Sequence, residues 1–273
     1  MFIFLYLLLF LFGSCIASFY ITTAERVLFY FYGKGRKVGS FWERMIQLLT
    51  YPSHCPSCKT KVSPLYLTPV LGYFLTKGKC PTCGVRLSWV YPTSEFLFGI
   101  LGVISFVLTQ DLLFTISFLF LIGHLIVSIH TDAKYFSLDY ENLPFILFFG
   151  SFCNYALTKE LPGMIDLYVF LGFAVFYVSI YFLFKNGMGL GDVFFAPCFA
   201  FLAGHPFWLF FLNSSYLLAI IITIVSRKKG ESLRGKMIPM GVFFSLGLFF
   251  TMIAKVMYFN LGIEGFTGEH YEP

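Results

Sequence analysis

Eight apolar runs separated by charged loops constrain this chain more than any other feature. A bilayer span needs about 20 mostly apolar residues. Such runs fall at 2–20, 91–109, 112–130, 143–157, 165–184, 193–203, 207–225 and 238–258. The sixth is short and Gly204-His205-Pro206 follows it directly, so 193–225 reads as two spans, a tight hairpin or a re-entrant segment. The first run could be a secretory signal ending near Gly13-Ser14-Cys15, with a lipoprotein-like cleavage site. It lacks the basic residues that precede such a signal and is long enough to span, so a retained helix is the expectation.

Composition supports the same class. Hydrophobic residues make up 58% of the 273 positions and charged residues 12%, where a soluble domain is about half apolar and roughly a quarter charged. The surface of a soluble protein cannot be built from this, and a disordered chain or a disulfide-dense secreted scaffold is excluded as well. The fold class expected is an all-α polytopic membrane protein of about eight transmembrane helices.

The charges orient it. With the amino terminus outside, every Lys and Arg of the nineteen falls in an inside loop except Lys159 and Lys255, a strong positive-inside bias. Both termini then face out, and Glu264, Glu269 and Glu272 make the outer tail acidic. The net charge of +5 is therefore a topogenic and lipid-facing signal, and nucleic acid is not expected as a partner. The organisation expected is a first transmembrane helix at 1–26, a cytoplasmic insertion at 27–90, a membrane domain at 91–260 and an outside tail at 261–273.

The insertion carries a repeated phrase. Cys55-Pro56-Ser57-Cys58 is echoed by Cys80-Pro81-Thr82-Cys83, with 21 residues between the inner cysteines. Two such turns each place two thiolates on one side of a tight knuckle, and together they make a closed tetrahedral zinc site. The alternative is a pair of disulfides, which a reducing cytoplasmic face disfavours. Four ligands leave no open coordination position, so the zinc would hold structure rather than activate water. Cys15, Cys153 and Cys198 lie in apolar runs and read as small core residues.

Two acids stand where spans meet the inner surface. Asp132 closes the third span and Asp192 opens the sixth, after Gly187-Met188-Gly189-Leu190-Gly191. Carboxylates from different helices at one depth can share a proton, so that one acts as base on water while the other donates to a scissile carbonyl. Gly189 and Gly191 would let backbone approach closely. Plainer roles compete: Asp192 as a helix cap, and Asp132 as a loop residue paired with Lys134. Asp139 and Glu141 are the nearest rivals to Asp132; Asp111 and Asp166 fall on the other side. His124 and His130 read as packed or hydrogen-bonded groups.

Taken together these residues resemble the type IV prepilin peptidase family, membrane aspartic proteases with a Gly-x-Gly-Asp motif. Five stretches carry the resemblance: Phe12-Gly13-Ser14; the cysteine knuckles with Thr68-Pro69-Val70-Leu71-Gly72-Tyr73 and Lys77-Gly78-Lys79-Cys80; Tyr91-Pro92-Thr93-Ser94-Glu95; Gly189-Leu190-Gly191-Asp192; and Ile238-Pro239-Met240-Gly241 with Gly247. They span about residues 12–250 in the family's order. The chain departs from the pattern where the loop after Asp132 ends Ser137-Leu138-Asp139 without the usual proline, and where Cys15 and Ser18 stand in place of Phe and Asn.

The resemblance implies an aspartic endopeptidase that removes the leader from type IV prepilin-like or competence pseudopilin-like precursors at the cytoplasmic face of a bacterial plasma membrane. It implies Asp132 and Asp192 as catalytic, Gly189 and Gly191 as site-shaping, and Cys55, Cys58, Cys80 and Cys83 as zinc ligands. It further implies N-methylation of the new terminus with S-adenosylmethionine, for which no methyl-donor site is recognisable in the residues. The competing class is a non-enzymatic membrane scaffold whose knuckles dock a partner; a proton-relay transporter would want acids at mid-bilayer, where the spans place none.

Overall fold

In a computed structural model, the described residues are 2–37, 39–55, 57–184, 188–227 and 237–262. Among them the chain is all-α. The helices are α1 (Phe2–Val27), α2 (Phe41–Thr50), α3 (Leu71–Leu75), α4 (Val90–Thr109), α5 (Leu112–Tyr135), α6 (Leu143–Thr158), α7 (Met164–Leu183), α8 (Leu190–Ala203), α9 (Trp208–Val225) and α10 (Met240–Leu261). No strand occurs among the described residues, only isolated bridges of His54 with Lys61 and Lys79 with Arg86.

Eight of these helices coincide with the eight apolar runs. Six are long and apolar enough to cross a membrane, which makes this a multi-pass membrane protein. The other two, α6 with 16 residues and α8 with 14, are shorter: at 1.5 Å per residue, 14 residues rise only about 21 Å. The segment 193–225 forms two separate helices with a turn at Gly204. The acidic tail, and Lys185, Lys228, Lys229, Arg234 and Lys236 of the inside set, lie outside the described residues.

The chain divides into two compact units, Met1–Gln110 and Asp111–Pro273. In the first, α1 packs along α4. A methyl group on Gly13 would meet the Phe98 carbonyl, and one on Gly99 would lie 2.7 Å from Ser14 Oγ. Small residues therefore let the two backbones touch, as close helix pairs in lipid require. The buried Glu95 of α4 accepts the Val70 N–H at 2.7 Å and Glu25 accepts the Tyr91 hydroxyl at 2.8 Å, pinning the loop to the helix pair.

In the second unit, α10 packs against α5, α6, α8 and α9. Phe195, Phe199, Phe211, Phe244 and Leu248 fill the centre, each at most 1% exposed. A polar lock closes the α5–α6 hairpin. Asn142 Nδ2 donates to the His124 carbonyl at 2.8 Å and to Ser128 Oγ at 2.9 Å, while its Oδ1 meets His124 Nδ1 at 2.6 Å. His130 Nδ1 sits 2.9 Å from the Ile126 carbonyl, so both histidines are held locally. The two acids set aside as remote have plain structural work. Asp111 caps α5 and pairs with Lys159 at 2.6 Å, and Asp166 accepts the Gly163 and His205 N–H groups.

Lys255 of α10, which reads as an outer-surface charge, is enclosed. Its Nζ donates to Asn154 Oδ1 at 2.7 Å and the Leu202 carbonyl at 3.2 Å, and lies over the Phe207 ring. Removing the Asn154 acceptor leaves the buried ammonium only the Leu202 carbonyl, 3.2 Å away, so Asn154→Ala is expected to cost about 2–3 kcal/mol. Lys255→Met removes the charge and fills the space, at a cost of about 1 kcal/mol or less. Thermal unfolding of the two variants in detergent micelles checks the ordering.

Candidate active site and metal centre

Asp132 lies in the last turn of α5, which ends at Phe136 in the left-handed region, where the Phe136 N–H returns to the Asp132 carbonyl at 2.9 Å. Its carboxylate is buried, at 5% exposure. Oδ2 accepts the Val242 N–H at 3.1 Å, and the carboxylate also takes the Gly241 N–H. Asp132 thus caps α10, whose first backbone donors have no partner within the helix.

Asp192 lies in the first turn of α8 and reaches back to the N–H of Gly189, the residue before the helix. It is half-buried, and the Asp132 carboxylate is close enough to act on it electrostatically. Each acid therefore sits at a helix N-terminus, where a carboxylate is favoured, Asp132 at the start of α10 and Asp192 at the start of α8, within electrostatic range of each other. Asp192 is not itself the N-cap: Gly189 is, and the Asp192 carboxylate turns back to its N–H from the third position of the helix.

Asp139 has a different partner. Burial, and then the neighbouring Glu141 carboxyl, push it up to about 7. The residue before it, Leu138, is 3% exposed and wedges between two glycines. A methyl group on Gly241 would lie 2.5 Å from Leu138 Cδ2 and 2.9 Å from Asp132 Oδ2, so Leu138 or the Asp132 carboxylate must shift to admit it. One on Gly191 would lie 3.4 Å from Leu138, and one on Gly189 3.6 Å from Asp192 Oδ2, both near ordinary contact. The protein's own packing therefore favours glycine at 241. At 189 and 191 the missing side chains leave the Asp192 side of the site open.

Other participants are invisible in linear sequence. Leu138 forms the wall between the glycines, and the Gly241 and Val242 amides hold Asp132. Tyr140 follows Asp139 and senses Asp192: burial, and then that carboxylate, push its phenol up. Tyr177, fully buried, shares a 2.9 Å hydroxyl contact with Tyr216. The Ile238-Pro239-Met240-Gly241 phrase marked Gly241, but nothing in the linear spacing joined it to Asp132.

In the first unit the two knuckles have the same backbone. The Cys55 N–H meets the Thr60 carbonyl and the Cys80 N–H the Val85 carbonyl, each at 2.9 Å. The equivalent Lys59 and Gly84 both turn through positive φ, 59° and 71°. All seven cysteines are unbridged. Cys55 and Cys83 sulfurs are 3.8 Å apart, Cys58 and Cys80 sulfurs 3.9 Å, and all four lie within 4.8 Å of one another. Disulfide sulfurs sit at about 2.05 Å, whereas ligands 2.3 Å from a tetrahedral metal lie about 3.8 Å apart. Hydrogen bonding with the Thr60 side chain and backbone holds the Cys58 thiol down to about 6, favouring the thiolate that ligates metal. The donor set fits a closed four-sulfur metal site.

Comparison with known proteins follows the same division. Residues 11–109 match the family model of the bacterial peptidase A24 N-terminal domain, and residues 119–224 match that of the type IV leader peptidase family. The chain is similar to the type IV leader peptidase family over these two stretches. A Dichelobacter nodosus prepilin leader peptidase/N-methyltransferase is 28% identical over 236 residues, 82% of this chain and 78% of that protein. The Bacillus subtilis (strain 168) protein of the same name is 29% identical over 144 residues, 51% of this chain, and the match spans half of that relative's length. An Escherichia coli O78:H11 type 4 prepilin-like proteins leader peptide-processing enzyme is 26% identical over 158 residues, 54% of this chain and 57% of its own. No solved structure matches.

Proposed function

We propose that this chain is a membrane aspartic endopeptidase that cuts the leader from prepilin-like or pseudopilin-like precursors, with Asp132 and Asp192 as its catalytic pair. The observation that carries the reading is that two carboxylates from separate helices, each at a helix N-terminus, lie within electrostatic range of each other beside backbone left bare by Gly189 and Gly191. The ionised partner takes a proton from water and the resulting hydroxide attacks the scissile carbonyl carbon, while the protonated partner donates to the carbonyl oxygen. The tetrahedral intermediate then collapses: the C–N bond breaks, the leaving nitrogen takes a proton, and the pair returns to its single shared proton. The bias of basic loops supports a site at the cytoplasmic face with both termini outside, and in a bacterial plasma membrane a precursor helix could lie in the bilayer and present its polar leader there.

Cys55, Cys58, Cys80 and Cys83 would hold zinc, whose contribution is to stabilise the knuckles rather than to react. The relatives' printed names support a second activity, N-methylation of the new terminus with S-adenosylmethionine as donor. Transfer of a labelled methyl group from that donor to cleaved product is its direct test.

The peptidase reading is tested by co-expressing the protein with a prepilin-like precursor and reading a leader-sized mobility shift. Wild type is expected to produce it, and Asp132→Asn with Asp192→Asn together to abolish it; no shift with wild type, or a shift surviving the double change, overturns the reading. Gly241→Ala should fold and yet lose cleavage by about 100-fold in kcat, because moving Asp132 by a fraction of an ångström misaligns the pair. Gly191→Ala, near ordinary contact distance, should lose far less in the same assay unless peptide backbone approaches there.

A further inference from the structure

The second cysteine knuckle borders a groove of about 470 Å³ lined by Tyr73, Phe74, Lys77, Lys79, Arg86 and Trp89, together with Gly78 and Leu87. We propose that this groove binds the phosphate headgroup of an anionic phospholipid.

Charge is the first observation. Lys79 and Arg86 stand opposite each other across an antiparallel bridge, where like charges repel. Lys77 joins them on the same groove. None of the three is paired with a carboxylate among the described residues. The first unit contains three acids in all, and each is engaged elsewhere: Glu25 by the Tyr91 hydroxyl, Glu43 in the cap of α2 and Glu95 by the Val70 N–H. A phosphate between Lys79 and Arg86 would turn the repulsion into two charge-assisted contacts, with the guanidinium able to grip two oxygens.

The groove is also shaped locally. Lys77 and Gly78 both take positive φ, 53° and 65°, and a methyl on Gly78 would lie 2.7 Å from the Tyr73 ring. The turn therefore wraps the aromatic floor and delivers the cations to its edge. Tyr73 and Trp89 rings lie 4.8 Å apart.

Position and rim select the lipid over a soluble anion. Trp89 is the residue before α4, a candidate span, so the groove opens where that helix enters the bilayer. Leu71, Phe74, Leu75, Trp89 and Val90 around it are each more than half exposed. Such an apolar rim beside tryptophan and lysine is the composition of a membrane interface. A free phosphate would leave that rim uncovered; a phospholipid covers it with acyl chain while its phosphate meets the cations. The inference does not depend on the peptidase reading.

The test is native mass spectrometry of the full-length protein in detergent micelles, titrated with phosphatidylglycerol and, separately, phosphatidylcholine. One saturable phosphatidylglycerol is expected on the wild type. The combined Lys77→Gln, Lys79→Gln and Arg86→Gln variant should weaken it on the order of 100-fold, whereas Lys34→Gln, Arg36→Gln and Lys61→Gln, an equal charge loss in the same unit, should not. Unchanged metal content in the first variant, and binding retained by Lys79→Arg, separate loss of the site from collapse of the knuckle. Equal weakening by both sets, equal binding of the two lipids, or displacement by inorganic phosphate at matched concentration would each overturn the proposal.

Discussion

Asn at either position 132 or 192 is expected to stop leader cleavage, with kcat falling by at least about a thousandfold, while Asn at 139 leaves it near wild type. The geometry gives the reason. Asp132 and Asp192 act on each other electrostatically, whereas Asp139 is engaged with Glu141. Glu substitutions separate this chemistry from a helix-capping role. Glu keeps the charge and can still accept backbone N–H groups, so a scaffold that used the two acids only as caps would keep its function. A catalytic pair should not tolerate the added methylene, because its carboxyls must be placed to fractions of an ångström. The in vivo mobility shift, with membrane insertion of each variant checked by immunoblot, reads both series. Cleavage by both Glu variants at wild-type rate would remove the two aspartates from the chemistry.

Asp139 has its own signature. A carboxyl raised to about 7 favours the folded state while protonated and costs stability as it ionises. Its contribution is therefore present at low pH and is lost as pH rises from about 4 through 7. Asp139→Asn should remove that part of the dependence, leaving thermal unfolding in detergent flatter between pH 5 and 8 than for wild type.

The second large effect is loss of the metal. Between α2 and α4 the chain has little hydrophobic core: a five-residue helix, a short 3₁₀ turn and two isolated bridges. Structural zinc in such small folds supplies about 10–16 kcal/mol, more than the segment's own contacts can replace. Cys80→Ser, or prolonged chelation of the wild type, is expected to release the metal and make 51–89 sensitive to protease, with peptides mapped by mass spectrometry. The helices of the second unit should remain protected. A knuckle that stays protease-resistant without metal would show that the four thiols are held by packing alone.

Much of this was legible in the sequence because the signals are local. Runs of apolar residues near 20 long become helices wherever water is absent, since backbone polar groups must then pair within the segment. Two Cys-x-x-C turns place their thiols by turn geometry alone, and both knuckles fold alike despite Lys in one and Gly in the other at the left-handed position. The order of motifs along the chain, from Gly13 to Gly247, was enough to suggest the family, whose two models match 11–109 and 119–224.

What only the tertiary structure decided depends on contacts between residues far apart in the chain. Asp132 and Asp139 are seven positions apart at one end of a hairpin, and spacing alone does not say which of them turns toward Asp192. The choice follows from the N-terminus of α10 arriving beside Asp132, with Gly241 small enough to pass both Leu138 and the carboxylate. Lys255 reads as a surface charge until α6 and α8 close around it and supply its acceptors. Chain pattern records what a residue needs from its neighbours in sequence. Which distant amide, carbonyl or glycine meets that need is fixed only when the helices pack.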